Sequence, residues 1–178
     1  NIPYNIFVAI SYVKQTLTLE FSSKILLEDY AKLISRDTIR QCLINLNNLG
    51  ICRVDIDSIL HTGCITKADI TKDIKMPLTD NILSALNENV GMYRRYKWKY
   101  YRKTGIEFSR DIKDVRSNES LKLYDKGTEL KVNAESRKFL SMLTNHEEIE
   151  NHFDGMVRFE ISLTSTAKIR KFLNIQDT

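Results

Sequence analysis

The sequence predicts an α+β fold, a single domain with a mainly antiparallel sheet, helices packed on one face and the candidate site on the open polar face. Three observations carry this prediction. Several short segments alternate apolar and polar residues strictly, the period of a half-buried strand. Others place apolar residues three and four apart, as a helix with one buried stripe requires. The polar faces of the alternating segments together hold acids, cations and a phenol.

At 178 residues, 42% hydrophobic and 28% charged, the chain has the composition of one ordinary globular domain with a real core. No apolar run approaches the length of a bilayer span and no signal-peptide pattern opens the sequence, so no membrane is expected as a partner. The chain begins at Asn1 rather than at a methionine and is read as a fragment or the ordered part of something longer. Three cysteines, Cys42, Cys52 and Cys64, contain no Cys-x-x-Cys spacing. That count argues for reduced thiols in a cytoplasmic setting, and against a zinc site or a disulfide framework. The net charge of +4 is modest, so the placement of the cations matters more than their number.

In chain order, residues 16–22 alternate and send Leu17, Leu19 and Phe21 to a core, leaving Thr18 and Glu20 outside. Residues 35–49 read as a scaffold helix, capped by Ser35 or Asp37, with Ile39, Cys42, Leu43, Leu46 and Leu49 on one stripe and Gly50 at its end. Residues 51–56 suggest a further strand. Residues 65–74 alternate, with Ala68, Ile70 and Ile74 opposite Lys67, Asp69, Thr71 and Asp73. Two acids and a threonine on one strand face either solvate the sheet or hold a hard divalent cation, which takes several oxygen ligands. A short helix follows over 79–89 with Ile82, Leu83 and Leu86 inward.

Residues 93–103 are the most biased stretch, with six of the 27 basic residues, five aromatics and no acid. Tyr93, Arg94, Arg95, Tyr96, Lys97, Trp98 and Lys99 lead it. Basic groups neutralise phosphates and flat rings stack on unpaired bases, so the stretch is a candidate nucleic-acid contact. The other reading is an amphipathic strand with rings buried and cations reaching outward. A short strand over 105–109 and a polar loop over 111–118 lead to residues 120–126. There Leu121 and Leu123 face the core, and Lys122, Tyr124 and Lys126 share the opposite side. Residues 134–150 read as one helix burying Phe139, Leu140, Met142 and Leu143, with His146 at a solvated end. Residues 156–163 alternate, with Val157, Phe159, Ile161 and Leu163 inward and Arg158, Glu160 and Ser162 outward. A last helix over 165–173 turns Ile169, Phe172 and Leu173 to the core.

On this arrangement the open face gathers Glu20, Asp69, Asp73, Lys122, Tyr124, Lys126, Arg158 and Glu160. A phenol has a reference pKa of about 10 and needs a neighbouring cation or metal to ionise near neutrality. A divalent ion beside it would orient a phosphodiester and stabilise charge on its oxygens. The chemistry that uses all these groups is transesterification, in which tyrosine attacks DNA and keeps the bond energy in a protein–DNA link.

At these residues the sequence resembles the gene II replication initiators of filamentous phages, and is similar to the rolling-circle Rep initiators of small bacterial plasmids. Three blocks carry the resemblance: 66–71, with Lys67 shortly before Asp69; 123–130, with Tyr124, Lys126, Glu129 and Leu130; and 156–163, with Arg158, Phe159 and Glu160. The resemblance implies that Tyr124 is the nucleophile that nicks one strand and holds the 5′ phosphate. It implies that Lys126 steadies the phosphate or the phenolate, and that Arg158 orients Glu160 or binds phosphate. Asp69 and Glu160 would be ligands of a magnesium or manganese ion, with Asp73, Glu20 and Glu129 as further candidates. Single-stranded or origin DNA would be the substrate, and a host helicase and polymerase the partners, in the cytoplasm of a bacterial cell. The His-hydrophobic-His pair of the wider nicking superfamily is absent, because His61, His146 and His152 are scattered. The pattern also implies an N-terminal segment missing from this chain. Competing readings are a non-catalytic single-strand binding module, a related strand-transferase of conjugation or transposition, and a two-metal nuclease that needs the acids but not the phenol.

Overall fold

The computed structural model describes residues 5–90, 96–100, 104–110 and 120–175, with the backbone alone at residues 87, 90, 96–100 and 110. The chain divides into two compact units, Asn1–Gly63 with Leu130–His152, and Cys64–Glu129 with Phe153–Thr178. Helices and antiparallel sheets make both, so the fold is α+β.

The first unit opens with a hairpin of β1 (Phe7–Ser11) and β2 (Thr16–Glu20), a two-stranded sheet by itself. The strand expected over 16–22 is therefore shorter and pairs only with β1, and Leu17 remains 43% exposed. Glu20 belongs to this hairpin and not to the sheet that carries the tyrosine, which corrects its placement. Two short 3-10 segments spanning Ser23–Lys32, broken at Leu27 where φ is 55° and ψ is −119°, and α1 (Ile39–Asn48) follow. Cys42, Leu43 and Leu46 are buried as the stripe requires, and Gly50 takes the positive φ of 69° that ends such a helix. Residues 51–56 form no strand among the described residues. The Asn47 side chain instead accepts from the Val54 N–H (2.8 Å) and donates to its carbonyl (3.0 Å), doing for one extended residue what a sheet partner would. Asp55 then caps α2 (Ile56–Thr62) by accepting from the Ser58 N–H.

The helix expected over 134–150 is two, α5 (Ala134–Leu140) and α6 (His146–Phe153). Between them Asn145 donates to the Glu28 carbonyl (3.0 Å), and the chain leaves the single helical track on which Met142 would have been buried. Met142 is exposed, while Phe139, Leu140 and Leu143 are buried; the Phe139 ring meets Tyr30 edge-on at 5.2 Å.

The second unit is a five-stranded antiparallel sheet in the order β3-β7-β6-β5-β4. Its strands are β3 (Ala68–Lys75), β4 (Tyr96–Tyr100), β5 (Gly105–Arg110), β6 (Ser120–Asp125) and β7 (Met156–Leu163). Register carries the alternation of each strand into its neighbour. Ile70, Ile161, Leu121 and Phe108 form one cross-strand row and Phe159, Leu123 and Ile106 the next. Ile106, Phe108, Leu123 and Val157 form the buried cluster, covered by Met76, Leu78, Leu86 and Phe159. α3 (Asp80–Val90) supplies Leu86 and the fully buried Leu83, so this face holds the core. On α7 (Thr166–Leu173) Ile169 is buried, but Phe172 and Leu173 stay about half exposed, against expectation.

Candidate active site

The other face of the five-stranded sheet is polar throughout. Register lays its side chains in three rows: Asp69, Ser162, Ser120 and Ser109; Thr71, Glu160, Lys122 and Glu107; Asp73, Arg158, Tyr124 and Gly105. Six of the sequence-predicted residues, Asp69, Asp73, Lys122, Tyr124, Arg158 and Glu160, therefore meet on one surface.

Within the middle row Lys122 and Glu160 are bonded, and Glu160 is bonded to the tyrosine of the next. The Tyr124 phenol donates to Glu160 Oε2 at 3.2 Å, and Lys122 Nζ donates to Glu160 Oε1 at 2.8 Å. One carboxylate thus holds a phenol and an ammonium, one on each oxygen. Burial alone would lower the Lys122 pKa. The hydrogen bond to Glu160 and the nearby charges of Glu160, Asp69 and Glu107 outweigh it and raise the value above that of an ordinary lysine. Lys122 is therefore a fixed cation. Glu107 is a member of this group that the sequence reading passed over. Its signal was its position between Ile106 and Phe108, which puts it on the polar face of β5.

The next row is built around Arg158, a buried guanidinium that donates through Nε and Nη2 to the two oxygens of Asp73, each at 2.7 Å. Its other side lies over the Phe153 ring, 5.3 Å from the centroid. Arg158 pairs with Tyr124 across the ladder, so a doubly held arginine backs the tyrosine. Opposite Tyr124 stands Gly105, where any Cβ would come within 2.5 Å of the Tyr124 Cβ and the Leu123 carbonyl. Only glycine leaves the tyrosine where it is.

Lys126 reaches the tyrosine by a route other than the expected one. The strand stops at Asp125, whose carboxylate accepts from the Thr128 N–H (2.8 Å) and so caps α4 (Lys126–Val132), a helix not anticipated from the sequence. Lys126 is the first residue of that helix rather than the last of the strand, and Gly127 follows it in the helix. A Cβ at Gly127 would press to 2.8 Å on the Phe153 carbonyl, so the helix start packs closely there. The buried Lys126 ammonium bonds Glu129 and lies 6.0 Å from the centroid of the Tyr124 ring.

Among the described residues no group of three or more His, Cys, Asp or Glu side chains is gathered as a metal cage. Asp73 has both oxygens on Arg158, and Glu129 is bonded to Lys126. Asp69 is exposed and flanks Lys122 together with Glu160. Both oxygens of Glu160 are likewise engaged, by Lys122 and Tyr124, so an ion held by Asp69 and Glu160 together with substrate phosphates would have to displace one of those partners.

Of the basic and aromatic stretch, Tyr96, Lys97, Trp98 and Lys99 lie in β4, the end strand of the described sheet, with Trp98 in register with Phe108. Tyr93, Arg94 and Arg95 lie outside the described residues, as does the loop expected over 111–118. The second unit carries 18 of the 27 lysines and arginines but 13 of the 23 acids, so the excess positive charge of the chain belongs to it. No described helix is long and apolar enough to cross a membrane.

Residues 17–178 match the family described as the N-terminal part of the phage replication-associated protein encoded by gene II. The match covers most of the chain, which belongs to that family and is a phage replication-associated protein. No curated protein and no solved structure matches it.

Proposed function

We propose that this protein nicks one DNA strand at a replication origin by tyrosine transesterification and so starts rolling-circle replication. The observation that carries the reading is the Tyr124 phenol bonded to Glu160 on the polar sheet face beside Lys122, with the buried cations Lys126 and Arg158 behind the tyrosine. Glu160 is within reach to take the phenol proton as a general base. The phenolate oxygen attacks phosphorus, the bond from phosphorus to the 3′ oxygen breaks, and that oxygen leaves and takes a proton from solvent. The 5′ phosphate stays on Tyr124, so one phosphodiester replaces another and no water is consumed.

The cations supply the electrostatic part. Lys122 shares Glu160 with the phenol, and the buried Lys126, bonded to Glu129, lies 6.0 Å from the centroid of the Tyr124 ring; preorganised charge of this kind is commonly the largest contribution to such a reaction. Arg158, fixed by Asp73 and Phe153, holds its charge behind the tyrosine. Asp69 and Glu160 would hold a magnesium or manganese ion, which when bound polarises the phosphate oxygens. Tyr93–Lys99 would carry the single strand, by phosphate neutralisation and ring stacking. The freed 3′ hydroxyl is a primer for a host polymerase, with a host helicase opening the duplex.

The test is to incubate the protein with labelled single-stranded DNA carrying its phage's origin, with magnesium or manganese, and to run denaturing gels beside Tyr124→Phe. A metal-dependent protein–DNA adduct that is lost in Tyr124→Phe supports the proposal. Cleavage without an adduct would make the protein a hydrolytic nuclease, and binding without cleavage a single-strand binding module.

A further inference from the structure

Three carboxylates of the polar face, Glu160, Asp69 and Glu107, act on the one Lys122 ammonium. Lys122 Nζ donates to Glu160 Oε1 at 2.8 Å, and the charges of Asp69 and Glu107 reach it as well. Register explains the grouping. Glu107 of β5 and Glu160 of β7 are the cross-strand neighbours of Lys122 on its two sides, and Asp69 of β3 lies one row from Glu160 on the adjoining strand. The two acids that a divalent ion would take therefore already stand against a cation. We propose that Lys122 is the resident counter-ion of the metal site, displaced from Glu160 when magnesium or manganese binds there and received by Glu107. This exchange rests on the reading of Asp69 and Glu160 as metal ligands.

Charge decides which partner of Glu160 yields. Oε1 holds the ammonium, and Oε2 holds the Tyr124 phenol at 3.2 Å. Displacing the phenol would leave Lys122 beside a second, doubly charged cation on the same carboxylate, where like charges repel. It would also take from Tyr124 the acceptor of its proton. Displacing the ammonium exchanges one cation for another and leaves the phenol bonded. Lys122 is able to move, because its side chain is 34% exposed and its ammonium sits on a flexible four-carbon stem. Arg158 and Lys126 are each 5% exposed and bonded to carboxylates of their own, Asp73 and Glu129, so the exchange falls to Lys122. Glu107 is half-buried on the strand beside it. A carboxylate has two oxygens that each accept more than one donor, so Glu107 can take the ammonium in addition to its own contacts. The charge of Lys122 stays on the face; only its partner changes.

The test is titration of the full chain with manganese alone, without DNA, following the paramagnetic resonance of the free ion. Lys122→Met keeps most of the stem without the charge and should bind manganese about ten-fold more tightly than the parent. Loss of a nearby positive charge would tighten binding even without movement, so two further readings separate exchange from simple repulsion. In a magnesium titration followed by lysine side-chain NMR, the scalar coupling across the Lys122–Glu160 hydrogen bond should vanish as the ion saturates. Glu107→Gln should weaken manganese binding about three-fold in the parent but hardly at all in Lys122→Met, which has no ammonium to hand over. Circular dichroism melting should show each variant folded. A Lys122→Met chain that binds no more tightly, a coupling that persists at saturating magnesium, or an equal effect of Glu107→Gln in both backgrounds would overturn the exchange and leave the metal reading in place. Asp69→Asn separates the two failures: if it binds manganese as the parent does, or if neither parent nor Lys122→Met binds saturably, the metal reading falls and the exchange with it.

Discussion

The two sheets read alike in the sequence and differ in what they do. β2 alternates as cleanly as β6, and each carries charge on its polar side. Yet β2 meets only β1, whereas β6 lies between β5 and β7, with β3 beyond. In the larger sheet each polar side chain gains neighbours from both flanking strands, and single residues become rows: Glu160 acquires a phenol and an ammonium, Arg158 a carboxylate and a ring. Alternation specifies a strand; only pairing makes a site.

The two Arg–Asp pairs make the same point in energy. Arg158–Asp73 and Arg40–Asp57 each close to 2.7 Å, but the first is 5% and 16% exposed and the second 55% and 79%. Distance alone does not separate them, whereas burial does.

The largest effect that would sharpen this comparison is on the middle row. Glu160→Gln keeps the size of the side chain but removes the proton acceptor, and should slow adduct formation by about 100-fold or more, measured as a single-turnover rate. A Glu160→Gln rate equal to the parent's would remove Glu160 from the proton transfer. Gly105→Ala comes next. A methyl group there must displace Tyr124, and misplacement on the scale of an ångström costs on the order of 100-fold, so the rate should fall with little loss of DNA binding.

Stability then tests the buried pair against the exposed one. Asp73→Ala strands a buried guanidinium and should destabilise by about 3 kcal/mol in urea unfolding. Arg40→Ala should cost only about 0.5 kcal/mol. Equal costs would break the comparison.

The smallest effect is the pH dependence of Lys122. Its pKa is raised in the folded state, so its contribution is fully present below the ordinary lysine value of about 10.4 and is lost as pH rises through the raised one. The stability gap between the parent and Lys122→Met should hold constant through neutral pH and close only in the alkaline range. A gap that closed near neutrality would contradict the assigned shift.

Much of this was legible in the sequence because the five-stranded sheet obeys its local patterns. β3, β6 and β7 put Asp69, Asp73, Lys122, Tyr124, Arg158 and Glu160 on one face by parity alone, and register could only bring them together. Parity fails where the chain leaves the strand. Asp125 spends its carboxylate on capping α4, so Lys126 approaches Tyr124 from a helix start that alternation does not reveal. It fails equally over residues 51–56, where the Asn47 amide replaces a strand partner, and over 141–145, where a break divides an otherwise continuous apolar pattern. Glu20 shows the limit most plainly, since its segment was read as a strand and assigned to the wrong sheet. Which acids contact Arg158 and which contact Lys122 depends on pairing between strands far apart in sequence, and no local pattern encodes it.

The most direct test of the central claim is to identify the atom that carries the DNA. After reaction with single-stranded origin DNA and magnesium or manganese, the protein would be digested with nuclease and protease and its peptides read by tandem mass spectrometry. The account predicts a nucleotide joined through a phosphodiester to the phenol oxygen of Tyr124. A nucleotide on any other of the eight tyrosines, or cleaved DNA with none attached to protein, would contradict it.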